Sequence, residues 1–366
     1  MTNVSRLSPA RAFKCAVLRV CEAIGLFRLT SALFAHRLHI LCYHGFQVRD
    51  ECQFRPQLFI SPDTFETRLR HIAAQGFVVL PLGEALERLS AGTLPRRALA
   101  ITIDDGFKST LSIASPLLRR YNSPATVYVT TYYVDKNAPV FRLAVQYLFW
   151  RAAPRTLDSA QLDELTGGAL RPAANDSTHE TLWRLIRHGE ALGSEQERQG
   201  LLGRLAQLLT LDFAAIRASG VLSLLSPDEV RALAREGVDI QLHTHRHRFP
   251  IDDRASAALE ITENQTRLEA LAGRPARHFC YPSGIFAPSQ WPWLHALGVE
   301  SATTCIPGLN LPTTPKFGLR RFLDSEDIRP IEFRAELAGF NQLARNVRAR
   351  LRPSPDPTPD TSAVGN

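Results

Sequence analysis

Long apolar runs are missing from this 366-residue chain. None approaches the ~20 residues needed to span a bilayer. The N-terminus also lacks an uninterrupted apolar core followed by a small-residue cleavage site, so no signal peptide is read. Cysteine is sparse: the six present (Cys15, Cys21, Cys42, Cys52, Cys280, Cys305) have no CxxC spacing. That argues against a disulfide framework. Cys42, Cys280 and Cys305 sit in strand-like segments and read as small buried hydrophobes. The expectation is a reduced, cytoplasmic protein. The body of the chain also lacks a basic surplus. Net charge is +7, but residues 1–37 carry six Lys/Arg against Glu22 alone, and residues 341–366 carry four Arg against two Asp. The two ends hold the whole excess. A nucleic-acid enzyme would carry its basic patch around its site, so no nucleic-acid partner is expected. Internal repeats are absent too.

What is present is a rhythm of strand, loop and helix. Strands are expected at Leu38–Tyr43, Phe77–Leu80, Ala98–Asp104, Ala125–Thr130, Val238–His243, His278–Tyr281, Val299–Cys305 and Gly318–Phe322. Helices alternate with them, one opening at Ser61-Pro62 and another at Ser226-Pro227. Alternation of this kind implies a parallel sheet or barrel. Gln47–Ile60 reads as a polar loop. The rhythm stops over about 134–225, where helical stretches are joined by polar segments; this reads as an insertion. A last helix is expected over Pro330–Arg350, and the Pro-rich tail from Pro353 reads as disordered.

Residues 1–37 form basic amphipathic helices. Phe13, Ala16, Val17, Val20, Cys21 and Ile24 recur at helical spacing, with Arg11, Lys14 and Arg19 on other faces. Such a stripe either packs on the domain or rests on an anionic membrane.

Two strand ends carry the chemistry. Ala98–Gly106 runs apolar but for Thr102 into Asp104, Asp105 and Gly106. A buried parallel strand reads this way, and its carboxyl end is where α/β folds place their sites. The second end is Gln241–His247, with His243, His245 and His247 within five residues. Imidazole is the commonest ligand for transition metals. Two His with one carboxylate leave coordination positions open, as catalytic zinc requires. Spacing alone leaves open which two of the three bind.

These strings resemble the polysaccharide deacetylase family (NodB-homology, carbohydrate esterase family 4). Thr102-Ile103-Asp104-Asp105-Gly106 is similar to its Thr-Phe-Asp-Asp-Gly motif, and His243-Thr244-His245-Arg246-His247 to its His-(Ser/Thr)-x-x-His motif. Phe279-Cys280-Tyr281-Pro282-Ser283-Gly284 resembles its third motif, and Cys42-Tyr43-His44-Gly45 the first-strand Tyr-His of one branch. The likeness spans about 38–325, minus the insertion.

The resemblance implies a distorted (β/α)7 TIM-like barrel and a divalent metal, most often zinc, with Co2+ or Ni2+ as alternatives. It implies hydrolysis of N-acetyl groups on a carbohydrate. By position, Asp105, His243 and His247 would be metal ligands. Asp104 would be the base toward a metal-activated water, and His245 a passenger. His44 would be the general acid, since the chain has no C-terminal Leu-x-His. The Ser283 N–H would be an oxyanion donor. Two departures stand out. Ser283 replaces an aromatic residue, and Cys280 replaces the arginine of the commonest third motif. In the branch lacking that arginine, a Leu-x-Arg segment holds the aspartate; Leu319-Arg320-Arg321-Phe322 matches it, with Arg321 better aligned. Trp150, Trp291 and Trp293 read as core packing rather than a sugar groove. The alternatives are an O-acetyl esterase or non-sugar amidase using the same site, or a non-catalytic glycan-binding protein. A cytoplasmic enzyme of this kind would meet lipid-linked or unfinished glycans, with residues 1–37 against the inner membrane face.

Overall fold

Strand Ala98–Ile103 is buried along its whole length in the computed structural model, which describes residues 8–154, 157–170 and 178–351. The Pro-rich tail expected from Pro353 lies outside the described residues. The main sheet contains β1 (His39–Tyr43), β2 (Val78–Val79), β3 (Ala98–Ile103), β4 (Ala125–Val129), β5 (Asp239–Leu242), β6 (His278–Cys280), β7 (Ser301–Thr303) and β8 (Phe322–Leu323). Their order is β8-β1-β3-β4-β5-β6-β7, with β2 also paired to β3, and every pairing is parallel. The open edges approach each other through the segment before β8. Thr303 and Leu319 form a parallel bridge. The Arg321 N–H donates to the Ile306 carbonyl, and the Asp324 N–H to that of Cys42. The sheet therefore curls into the distorted (β/α)7 barrel that was expected.

Strand alternation sorts the side chains. Leu99, Ile101 and Ile103 face helices, against Phe65, Leu69, Ile72 and Leu118. Ala98 and Ala100 fall in a different cluster with Ile40, Tyr128, Cys280 and Leu319, inside the barrel. Residues two apart share a face. The interior line of β3 thus continues from Ala98 and Ala100 to Thr102 and Asp104, and that of β1 from Ile40 to Cys42 and His44.

Helix starts obey local capping. The Ser61 hydroxyl accepts from the Thr64 N–H at 3.3 Å, and Ser226 and Glu229 form a capping box. The insertion has its own apolar cluster, in which Phe141, Val145, Leu148, Leu185, Leu201 and Leu205 pack together. A second cluster, with Phe59, Phe107, Leu143, Tyr147 and Leu222, ties it to the barrel.

Three expectations change. The loop 47–60 contains a short helix, Glu51–Phe54, and a strand, Phe59–Ile60, that pairs with Gly45–Phe46 just before the loop. The last helix is two, Pro330–Leu337 and Phe340–Leu351. Gly339 breaks it at φ +72°, and a Cβ there would meet the Phe34 ring at 2.7 Å. The N-terminal helices, Pro9–Ala23 and Leu26–Leu33, dock mainly through a face other than the apolar stripe, of which Cys21 packs inward. Cys15, Leu18 and Phe27 pack against Ile331 and Ala335. Arg11 pairs with Asp327 and Glu332, both at 2.8 Å, and Lys14 with Glu332 at 2.8 Å. The stripe faces outward: Phe13 is 73% exposed, Val20 60% and Ile24 67%.

Candidate active site and metal centre

Asp104 and Asp105 are adjacent in sequence and go separate ways. Asp104 continues the interior face of β3. Arg321 grips it with two parallel bonds, Nη1 to Oδ1 at 2.7 Å and Nη2 to Oδ2 at 2.8 Å. Arg321 is 0% exposed. It also donates to the Thr102 hydroxyl at 3.1 Å and to the Thr304 carbonyl at 3.0 Å. The Cys42 and Cys280 thiols donate to Asp104 Oδ2 at 3.4 and 3.3 Å. Burial acts to raise the Asp104 carboxyl, but the Arg321 charge and its hydrogen bonds hold it well below the usual carboxylate range.

Asp105 turns away because its backbone is left-handed, with φ +71°. Its Oδ1 lies 3.2 Å from His243 Nε2 and 3.3 Å from His247 Nε2. One donor atom from each of the three residues falls within 4.8 Å of the others. Thr244, His247 and Ser283 also have positive φ, at +62°, +57° and +57°. Uncommon backbone of this kind gathers at functional sites.

The donor set suits a divalent ion. His243 Nδ1 lies 2.9 Å from the Cys280 carbonyl. That partner requires the proton on Nδ1 and leaves the Nε2 lone pair facing Asp105. The His243 N–H is held by the Asn264 amide oxygen at 3.0 Å, and Asn264 in turn donates to the Val129 carbonyl and the Thr131 hydroxyl. Burial acts to raise the Asp105 carboxyl, while hydrogen bonds from His243 and His247 hold it well below the usual range. Two further groupings, Cys42/His44/Asp104 and Asp104/His243/Cys280, are as compact. Both include the carboxylate already neutralised by Arg321, whose cation also lies 3.1 Å from Cys280 Sγ. A second cation there would be repelled.

The geometry separates the three histidines. His243 and His247 converge on Asp105. His245 points elsewhere, its Nδ1 2.8 Å from the Thr131 hydroxyl and its ring edge-on to Tyr132. His44 Nε2 lies 3.8 Å from Asp104 Oδ2, and burial lowers its pKa. Ser283 is an exposed residue in the turn Pro282–Gly284, after β6. Trp150, Trp291 and Trp293 pack as partly buried members of apolar clusters. The sequence reading missed Cys42, Thr102 and Asn264. For Cys42 and Thr102 a signal existed: each lies two residues before a site residue on the same strand.

A family model for polysaccharide deacetylase matches residues 91–302, more than half of the chain. A search of curated protein sequences finds no match. Several solved structures share the fold at low identity. A Streptococcus pyogenes deacetylase, PplD, in complex with acetate, is 16% identical, with TM-score 0.55, and the match covers 82% of this chain and 98% of that one. IcaB from Ammonifex degensii is 17% identical, with TM-score 0.53 and coverage of 82% and 97%. A polysaccharide deacetylase from Bacillus cereus is 17% identical, with TM-score 0.52 and coverage of 82% and 69%.

Proposed function

Because this chain belongs to the polysaccharide deacetylase family, we propose that it is a metal-dependent hydrolase that removes N-acetyl groups from a carbohydrate. The observation that carries the reading is the split of the two aspartates: Asp104 pinned to Arg321, Asp105 turned to His243 and His247. Amide hydrolysis needs a strong nucleophile, a stabilised oxyanion and a protonated leaving amine. In our assignment Asp105, His243 and His247 hold the ion, which fits zinc, with Co2+ or Ni2+ as alternatives. When bound, a divalent ion supplies an acidified water and a Lewis acid for the acetyl carbonyl.

This chain's own residues do the rest. Asp104 Oδ2 accepts the proton of the attacking water. A carboxyl held so low does not keep a proton, which therefore passes on to the far more basic leaving amine. His44, 3.8 Å from Asp104 Oδ2, is the group that delivers it. The Ser283 N–H donates to the developing oxyanion. Acetate release from N-acetylated and O-acetylated oligosaccharides tests the reading. Release from the N-acetyl substrate is expected; release from the O-acetyl substrate alone would replace the amidase by an esterase.

The docked N-terminal helices bear on where the substrate is met. We propose that the outward stripe, Phe13, Val17, Val20 and Ile24, rests on an anionic membrane face, where a cytoplasmic enzyme would meet lipid-linked glycans. Leu29 and Leu33 are also exposed. Arg19 and Arg28 are exposed and have no ion-pair partner among the described residues, so anionic headgroups complete them. No helix among the described residues is long and apolar enough to cross a membrane. Co-sedimentation with vesicles containing phosphatidylglycerol, lost on Phe13→Glu/Ile24→Glu, is expected. Absence of vesicle binding, with dimers in its place, would assign the stripe to a second copy.

A further inference from the structure

Outside the metal triad lies a cavity of about 410 Å³, between the histidine loop, the segment after β4 and the insertion. Tyr132, Tyr133 and Lys136 line it from the segment after β4, and Arg246 and Arg248 from the loop that carries His247. Arg198, Glu190 and Glu195 come from the insertion.

Its charges do not cancel. Glu190 is paired with Arg142 at 3.2 Å. Glu195 is paired with Arg198 at 3.0 Å and accepts from the Tyr132 hydroxyl at 3.2 Å. Arg246 is engaged by Glu260 and Glu263 at 3.2 and 2.7 Å. Lys136 and Arg248 have no acidic partner among the described residues. Two free cations therefore face a cavity whose acids are already neutralised. Cations in a concave wall focus their field on whatever enters. The rings of Tyr132 and Tyr133 meet edge to face at 5.3 Å, so the wall beside the two cations is aromatic. His247 and Arg248 are consecutive, so a ligand in this cavity and one at Asp105 share a single loop.

We propose that this cavity is a subsite for an anionic group carried by the acetylated glycan, a phosphate or a carboxylate, bound by Lys136 and Arg248. This deepens the deacetylase reading and rests on it for the identity of the glycan. A sugar phosphate of a lipid-linked intermediate and a uronic acid of an acidic polymer offer the same chemistry: one or two negative charges beside a pyranose ring. Arginine forks and a lysine point charge both suit such oxyanions.

The experiment uses the full-length, metal-loaded protein. Acetate release is compared for three N-acetylglucosamine oligomers: neutral, bearing a phosphate monoester, and bearing a uronate. Binding of N-acetylglucosamine 1-phosphate is measured by calorimetry alongside. The expected result is a preference for an anionic oligomer, and Lys136→Gln/Arg248→Gln lowers the anionic-to-neutral ratio of kcat/KM by about tenfold. Both substitutions are on exposed side chains. The double variant also weakens the sugar phosphate in calorimetry, and salt weakens it further in wild type. A phosphate preference names the sugar-phosphate source and a uronate preference the acidic polymer. Sugar-phosphate affinity and substrate preference both unchanged in the double variant would overturn the proposal, because a phosphate held only by the metal is indifferent to Lys136 and Arg248. Turnover of all three oligomers without preference overturns the subsite and leaves the deacetylase reading standing. No acetate from any oligomer, with sugar-phosphate binding still dependent on Lys136 and Arg248, does the reverse.

Discussion

Arg321→Met is the perturbation that most directly probes how Asp104 is prepared. The guanidinium and carboxylate meet through bonds of 2.7 and 2.8 Å, so their charge centres lie about 4 Å apart. At an effective dielectric of about 20, that attraction is worth about 4 kcal/mol, or about three units on the carboxyl pKa. Burial then acts unopposed, and the Asp104 carboxyl climbs out of its depressed position. As the ionised form is the one that accepts a proton, loss of the Arg321 attraction and unopposed burial together move the acid limb of kcat/KM upward. A depressed carboxyl also contributes stability above its unfolded pKa, lost as pH falls through the folded value; Arg321→Met removes that contribution. Leaving one charge of a buried pair alone costs about 3–5 kcal/mol. Acetate release from pH 4 to 9, with urea unfolding of the same variants, reads both effects. Arg321→Lys keeps the charge and loses the fork, so its limb moves less. A double-mutant cycle with Asp104→Asn isolates the pair. An unmoved acid limb in Arg321→Met, together with stability within about 1 kcal/mol of wild type, would refute the reasoning.

Three other outcomes follow from the same geometry. His243→Ala and His247→Ala lose the bound metal by elemental analysis, whereas His245→Ala keeps it. Asp104→Asn also keeps it but lowers acetate release by at least about 100-fold; an active Asp104→Asn protein would remove the base assignment. His39 is buried at the base of the barrel, and desolvation lowers its pKa to about 4. The unfolded chain takes up that proton near 6.5, so stability is lost as pH falls from about 6.5 to 4, by about 3 kcal/mol in all. His39→Leu should flatten the stability curve over that window, and parallel curves would sink the idea. Glu332→Ala frees Lys14 and leaves Arg11 with Asp327 alone, weakening the docking of helix Pro9–Ala23 by about 1–2 kcal/mol; limited proteolysis should then cut within residues 8–33 earlier than in wild type.

The parts of the site written as short strings were legible in the sequence. Asp104 and Asp105 end a strand, and His243, His245 and His247 end another, so composition and period together pointed to a site at the strand ends of a parallel sheet or barrel, and the resemblance implied the barrel. Spacing alone left His245 and His247 open, and only the resemblance named His247; the left-handed backbone at Thr244 and His247 is the physical device behind that choice, and no spacing rule encodes it. Periodicity found the amphipathic helix but could not say which face docks. The answer depends on Asp327, Glu332 and Ile331, more than 300 residues away, which match Arg11, Lys14 and Leu18. The split of the last helix was missed because one helix was expected straight through Gly339, whose positive φ and closeness to Phe34 make it a break. Helices Ser159–Thr166 and Phe213–Ala218 were missed because both are short, and short segments carry little periodicity.

The departure at Cys280 has a physical counterpart. Asp104 is 2% exposed, and a carboxylate that deep needs a cation beside it to remain ionised. The resemblance places that cation in the commonest third motif, at the end of β6, where this chain has a cysteine, or, in the other branch, in a Leu-x-Arg segment. A cysteine is small enough to leave room inside a barrel already lined by Ala98, Ala100 and Cys42. Arg321 fills that room from the next turn of the barrel. It enters ahead of β8, where Leu319–Asp324 bonds to β7 on one side and β1 on the other. Its guanidinium lies 3.1 Å from Cys280 Sγ and reaches the same carboxylate. The two positions are therefore coupled: Cys280→Arg alone would place two guanidinium groups in one buried volume, with a single carboxylate between them. Only Cys280→Arg together with a small residue at 321 could restore the charge balance. The cation under Asp104 is thus a requirement of the barrel interior, and the strand that supplies it is a choice.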